Sequence, residues 1–193
     1  MTPALVLAST SRYRAELLQR LSLEFIQVQP EVEETPLPGE SPHDVALRLA
    51  EAKARALATA YTDHLIIGSD QTAGCDLDII GKPGSRDRAI GQLLRFSGRS
   101  IEFHTGLCLL NTRTGHCRTA VNTTTVTFRS LSEACAERYV DREQPLDCAG
   151  SFKAEGLGIA LFSRIVSDDP TSLIGLPLIT LTQFLLAEGW MLP

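Results

Sequence analysis

Five apolar residues in a row, Ala4-Leu-Val-Leu-Ala8, run straight into Ser9-Thr10-Ser11 and then into a helical pattern from about 12 to 22. An apolar run without alternation suits a strand buried on both faces. The hydroxyls that follow are helix-capping residues. A buried strand feeding a helix through so short a connection belongs in a layered sheet with helices packed on it, and little else can accommodate it. The alternation continues along the chain. Phe25 to Val28 reads as a second strand, and residues 29–41, with their prolines, glycine and glutamates, as a loop. Ser41-Pro42-His43-Asp44 is a helix start, with a cap, proline at the first position and an acid in the first turn; that helix extends to about Tyr61.

His64 to Ser69 is a short apolar strand that stops at Asp70. Arg86 to Phe96 is helical. Ile101–Leu110 and Thr119–Phe128 are strands joined by a hairpin loop over 111–116. Ser132 caps a helix to about Asp141, a glycine-bearing loop leads to strand-like residues near 158–166, and the last helix covers about Pro177 to Glu188. With no repeat, low-complexity stretch or linker, the 193 residues are expected to form one α/β domain, 1–193, long enough to bury a core without disulfides.

Composition removes several functions. The formal charge is −5, which disfavours binding to a nucleic acid polymer, since that needs a basic face. No apolar run approaches membrane-spanning length, and the N-terminal run is too short for a signal peptide, so the expected setting is cytoplasmic. The five cysteines include no CxxC pair and read as reduced thiols, although Cys108 and Cys117 fall where a hairpin could bring them face to face. GxxxxGK[ST], GxGxxG and GxSxG are all absent.

Several residues stand out of place. Val45, Leu49, Lys53 and Leu57 recur every four positions on one helix, so a lysine occupies an apolar stripe. Either its stem packs while the ammonium reaches water, or the ammonium is held at a site edge to meet an anion. Asp70 closes a hydrophobic strand, where it is either a turn or cap residue or a carboxylate able to hold a divalent metal or deprotonate water. Lys82 lies in Gly81-Lys-Pro83, and Lys153 lies beside Glu155 in a loop from Gly150 to Gly156. Glycines in such loops let backbone amides approach a phosphate. Ser9, Arg12 and Arg14 flank a helix N-terminus, whose free N–H groups attract anions. Glu33 and Glu34 could complete a Mg²⁺ site with Asp70. Lysines, arginines and carboxylates at element ends make up an inventory suited to a polyphosphate held with a metal.

These segments, in order, resemble the Maf family of nucleotide pyrophosphatases. The opening Leu7-Ala-Ser-Thr-Ser-Arg-Tyr-Arg-Ala-Glu-Leu-Leu18, the acidic Val32-Glu-Glu-Thr35, Ala50-Glu-Ala-Lys-Ala54, Ile67-Gly-Ser-Asp-Gln71, Gly81-Lys-Pro83, Gly150 to Gly156 and Ile174-Gly-Leu-Pro177 carry the likeness. The resemblance implies the Maf/Ham1 (ITPase-like) fold, an elongated mixed sheet flanked by helices, with two lobes around a central cleft. It implies a nucleoside triphosphate substrate cut between the α and β phosphates with Mg²⁺, Mn²⁺ or a similar divalent cation. Asp70 would be the general base, and Glu34 and Glu33 would help Asp70 hold metal and water. Ser9, Arg14, Lys53, Lys82 and Lys153 would bind phosphates. A homodimer and a role in sensing nucleotides during cell division are further family-level implications.

Where the commonest Maf pattern has Pro-Arg-Arg, this chain has Arg12-Tyr13-Arg14. An aromatic at the middle position, together with Gln71 and Glu155, is similar to the branch acting on 7-methyl-GTP, whereas the branch preferring dTTP and UTP has Arg, Thr and Gln. A cationic methylated guanine would gain from an aromatic platform and a carboxylate.

Overall fold

A computed structural model describes residues 3–75 and 78–193. Seven strands are seen among them: β1 (Ala4–Ala8), β2 (Phe25–Val28), β3 (His64–Cys75), β4 (Asp78–Ile80), β5 (Ser100–Asn111), β6 (Cys117–Phe128) and β7 (Phe162–Val166). The helices are α1 (Arg12–Gln19), α2 (Pro42–Ala56), α3 (Arg86–Phe96), α4 (Glu133–Glu143) and α5 (Leu178–Ala187), with single 3-10 turns at Ala149–Ser151, Leu157–Leu161 and Ser172–Ile174. Capping sets the helix starts. The hydroxyls of Ser11, Ser41, Ser85 and Ser132 accept the backbone N–H three residues on, at the heads of α1 to α4.

The strands form one mixed sheet in the order β2-β1-β3-β5-β6-β7, with β4 added beside β3. β1 is parallel to β2 and β3, and the β3, β5, β6, β7 ladder is antiparallel. The sheet is therefore mixed and flanked by helices, as the family resemblance implies.

Strand alternation divides the core. Leu5, Leu7, Leu65 and Ile67 pack on one face against α1 and α5 through Leu17, Leu18, Leu181 and Leu185. Val6, Ala8 and Ile66 point the other way, to Ala50, Ala54 and Leu57 at the C-terminal part of α2 and beyond. Farther along β3 and β5, Ala73, Cys75, Ile101 and Phe103 meet Ile90, Leu93 and Phe96 of α3 and Tyr139 and Val140 of α4. Each large aliphatic side chain removed from water in these clusters contributes about 1.5–3 kcal/mol.

α2 lies so close to the sheet that glycine is required beneath it. A Cβ on Gly68 would stand 2.1 Å from the Ala50 carbonyl oxygen, and one on Gly106 would stand 2.1 Å from that of Ala46.

β3 is longer than the sequence suggests. Instead of stopping at Asp70 it runs to Cys75, because β5 keeps pairing with it through Gly74 and because Ala73 and Cys75 enter the second core. Asp70 thus sits in mid-strand. β4 is not foreseen in the sequence, and where strand-like residues are expected near 158–166 a 3-10 turn precedes a shorter β7.

Candidate active site

The site begins with a gap in the sheet. On the side of β3 away from β5, β1 pairs with His64–Gly68 and β4 pairs with Ala73–Cys75. Ser69 to Thr72 fall between these partners. Alternation then sends Asp70 to the α2 face and Ser69 and Gln71 to the opposite face. A cleft of about 770 Å³ opens here, lined by residues of the β1–α1 junction, the acidic loop, α2, β3, the Lys82 and Lys153 loops and the turn before α5. That volume accommodates a nucleotide-sized ligand.

On the α2 face, Lys53 is 7% exposed. Its ammonium donates to Asp70 Oδ1 at 2.6 Å and to Glu34 Oε1 at 2.7 Å. The lysine in the apolar stripe is therefore not turned to bulk water. Its stem packs in α2 and its head bridges two carboxylates at the edge of the cleft. For the Glu34 carboxyl, burial is the largest single influence and raises the pKa; Lys53, Lys82 and Arg14 together outweigh it and hold the pKa below the ordinary value.

At the head of α1, Arg14 is held by two contacts. Its Nε donates to the Gly175 carbonyl at 2.9 Å and its Nη1 to Ser9 Oγ at 3.4 Å. Burial lowers the Arg14 pKa, against the raising influence of Asp70 and Glu34. Gly175 has φ of 124°, a conformation that favours glycine, and this aims its carbonyl at both Arg14 and Ser69. The Ser69 hydroxyl reaches the Gly106 and Gly175 carbonyls at 2.8 and 2.9 Å. Gln71, next along that face, donates its amide to Thr105 Oγ1 and to the Ser172 and Leu173 carbonyls.

The turn that supplies these carbonyls is organised by Asp169, which is 1% exposed. Its carboxylate accepts from Thr171 N, Thr171 Oγ1 and Ile179 N. The sequence alone does not single out Ser69, Thr105, Asp169, Ser172 and Gly175 as site residues. The Asp168-Asp169-Pro170 turn signal and Ile174-Gly-Leu-Pro177 were the available hints, and neither names a partner.

The remaining candidates divide. Ser9, Tyr13, Arg14, Glu34, Lys53, Asp70, Gln71, Lys82, Lys153 and Glu155 all line the cleft. The Lys153 ammonium, however, donates to the Glu143 carbonyl at 2.7 Å, at the C-terminal end of α4, and so is already engaged. Glu33 is not among the lining residues; its carboxylate accepts from the backbone and hydroxyl of Thr35. The Arg12 guanidinium lies over the Tyr13 ring, 4.8 Å from its centroid, so this aromatic already attracts a cation. Cys148, also on the wall, has its thiol pKa pushed up to about 12, chiefly by burial and then by Asp147. Cys108 and Cys117 do face each other, with sulfurs 3.3 Å apart, joined by a thiol hydrogen bond and not by a disulfide.

Among the described residues, no group of three or more His, Cys, Asp or Glu side chains could hold a metal ion unaided. Asp70 and Glu34 each commit one oxygen to Lys53 and keep a second. Two carboxylates beside several cations fit a Mg²⁺-like ion, which takes one or two carboxylates and fills its shell with phosphate oxygens and water.

Fold and site together define an α/β protein with a cation-rich, carboxylate-bearing cleft in a split sheet. The chain belongs to the Maf family: the model described as Maf-like protein matches residues 4–188. It is 53% identical over 192 residues to a protein of Alcanivorax borkumensis named 7-methyl-GTP pyrophosphatase, covering 100% of this chain and 98% of that one. Proteins of the same name from Aromatoleum aromaticum (54% identity, 98% and 97% covered) and Vibrio cholerae (55% identity, 96% and 95% covered) are similarly close. Among solved structures, the Ham1 protein of Staphylococcus aureus matches with a TM-score of 0.45 at 16% identity, over 65% of this chain and 71% of that one, a likeness too distant to carry weight. No helix of the described residues is long and apolar enough to cross a membrane.

Proposed function

We propose that this protein hydrolyses 7-methyl-GTP between its α and β phosphates, yielding 7-methyl-GMP and pyrophosphate, and so removes a modified nucleotide. The observation that carries the reading is the buried Lys53 ammonium bridging Asp70 and Glu34 at the gap in the sheet. The name shared by relatives at 53–55% identity supports the substrate.

Asp70 acts as general base. Its carboxylate takes a proton from water as the water oxygen bonds to phosphorus. The bond from phosphorus to the bridging oxygen breaks, and pyrophosphate departs with that electron pair. Lys53 stands beside Asp70 and offsets charge developing on the phosphate oxygens, which a preorganised ammonium does without reorienting solvent. Arg14, fixed by Gly175 and Ser9, and the exposed Lys82 hold the remaining phosphates. Lys153 joins them on leaving the Glu143 carbonyl. Asp70 and Glu34 would hold a divalent cation, which when bound supplies Lewis-acid neutralisation of the triphosphate. Glu33, bonded to Thr35 away from the cleft, has no part in this scheme. Tyr13 offers its ring to the cationic base, a contact worth about 0.5–2 kcal/mol. Gln71 and Glu155 accept hydrogen bonds from it.

The base assignment is tested by the triple substitution Tyr13→Arg, Gln71→Thr and Glu155→Gln. It should move the kcat/KM preference from 7-methyl-GTP toward dTTP and UTP. Unchanged selectivity in the folded triple variant would overturn the assignment of those three residues.

A further inference from the structure

We infer that Thr105 is a positioning residue for base recognition: it turns the Gln71 amide so that only the carbonyl oxygen is offered to the cleft. The proposal rests on the reading of this cleft as a nucleotide site. The argument begins with the β3–β5 register, which pairs Gln71 with Thr105 and places both on the same face of the sheet.

Three acceptors surround the Gln71 amide nitrogen: Thr105 Oγ1 at 3.1 Å, the Ser172 carbonyl at 3.0 Å and the Leu173 carbonyl at 3.0 Å. A backbone carbonyl has no proton to give. The Thr105 hydroxyl does have one, but donates it to the Ser172 carbonyl at 2.9 Å, so toward Gln71 it too can only accept. Rotating the amide by half a turn would set its oxygen against two backbone carbonyls, and the Thr105 hydroxyl could meet it only by giving up its bond to the Ser172 carbonyl. Thr105 and Ser172 are fully buried, so on that side of the half-buried amide the conflict is not relieved by solvent. The amide polarity is therefore dictated by chemistry.

Gln71 lines the cleft, and Oε1 is the atom left for a ligand. This wall then reads a hydrogen-bond donor on the base, such as a ring or exocyclic N–H, and repels a base that presents a lone pair there. A guanine edge meets the condition, since it carries N1–H and N2–H₂.

Thr105→Val keeps the shape and removes both hydrogen-bonding functions; Thr105→Ser keeps the hydroxyl. Two readouts separate positioning from general damage. In steady-state kinetics with 7-methyl-GTP, Thr105→Val should raise KM about tenfold with kcat within about threefold. The inhibition constant of inorganic tripolyphosphate, which probes only the phosphate end, should not change. Thr105→Ser should restore KM. If KM stays at the wild-type value, if KM and the tripolyphosphate constant move together, or if Thr105→Ser is as impaired as Thr105→Val, the proposal falls.

The second readout needs no turnover. The Gln71 side-chain amide protons, assigned by their loss in Gln71→Met, should exchange slowly with solvent in the wild type and in Thr105→Ser. Exchange as fast as that of a surface glutamine in the wild type would overturn the proposal even where Thr105→Val fails to fold. Slow exchange in a protein that does not turn over 7-methyl-GTP would instead overturn the substrate reading and leave the amide orientation standing.

Discussion

Replacing Lys53 with methionine separates the two meanings a lysine in an apolar stripe can have. The methionine keeps a long flexible stem in α2 and deletes the charge. A lysine whose head merely reached water would be replaceable within about 0.5 kcal/mol. Here the head meets Asp70 and Glu34, whose side chains are 12% and 56% exposed. Removing one partner of a buried ion pair costs about 3–5 kcal/mol, because the remaining charge is stranded. Water reaches Glu34, so its share is discounted, leaving an expected loss of about 2–4 kcal/mol at neutral pH, mostly from Asp70. Urea unfolding followed by circular dichroism measures it. The double variant Lys53→Met/Asp70→Asn removes the stranded charge and should recover at least about half of the loss, since residues in direct contact are not additive. Pyrophosphate release should remain absent in both. A single variant as stable as the wild type, or a double variant whose losses simply add, would refute this account of Lys53.

Gly68→Ala should cost about 3 kcal/mol or more in the same assay, because the new methyl would meet the backbone of Ala50 and Ala54 and push α2, with Lys53, off the sheet. Gly91→Ala on the exposed face of α3, where nothing lies within 4 Å, should stabilise by about 0.5–1 kcal/mol, and the opposite ranking would contradict the packing. Glu188 ties the β5–β6 hairpin to the end of α5 by accepting from Asn111, His116 and Arg118. Burial, its largest influence, raises the Glu188 pKa, but those donors outweigh it and the pKa lies below the ordinary value. The stabilisation is therefore present above the unfolded-state pKa and lost as pH falls through the lower folded one. Glu188→Gln should cost about 1–3 kcal/mol at pH 7, with the gap to the wild type closing through that acidic window; a gap that holds constant with pH would be inconsistent with it.

The local signals in the sequence were strong where the physics is local. Serine caps mark the starts of α1, α2 and α4, and apolar patterns place α3 and most strands within a few residues, because capping and burial pattern are properties of neighbours along the chain; α2 ends at Ala56, short of the expected Tyr61. The end of β3 is not legible in the sequence because its continuation depends on β5, a partner more than 25 residues away. At the site, the misfit of Lys53 against its stripe marked it as unusual, and the carboxylates it meets could be suspected but not paired. Gln71 could be read as a residue type, yet its amide orientation depends on Ser172 and Leu173, about a hundred residues on. Glu33 and Glu34 are adjacent and chemically identical in sequence; only the path of the loop sends one to Lys53 and the other to Thr35. For the same reason the sequence could not reveal that Lys153 rests on the Glu143 carbonyl.

The most direct test is pyrophosphate release with Mg²⁺ or Mn²⁺ over 7-methyl-GTP, GTP, dTTP, UTP and CTP, with the wild type and Asp70→Asn side by side. The account predicts selective turnover of 7-methyl-GTP to the monophosphate and pyrophosphate, reduced at least about a hundredfold in a folded Asp70→Asn variant. Release of orthophosphate instead, or turnover by Asp70→Asn at the wild-type rate, would contradict it.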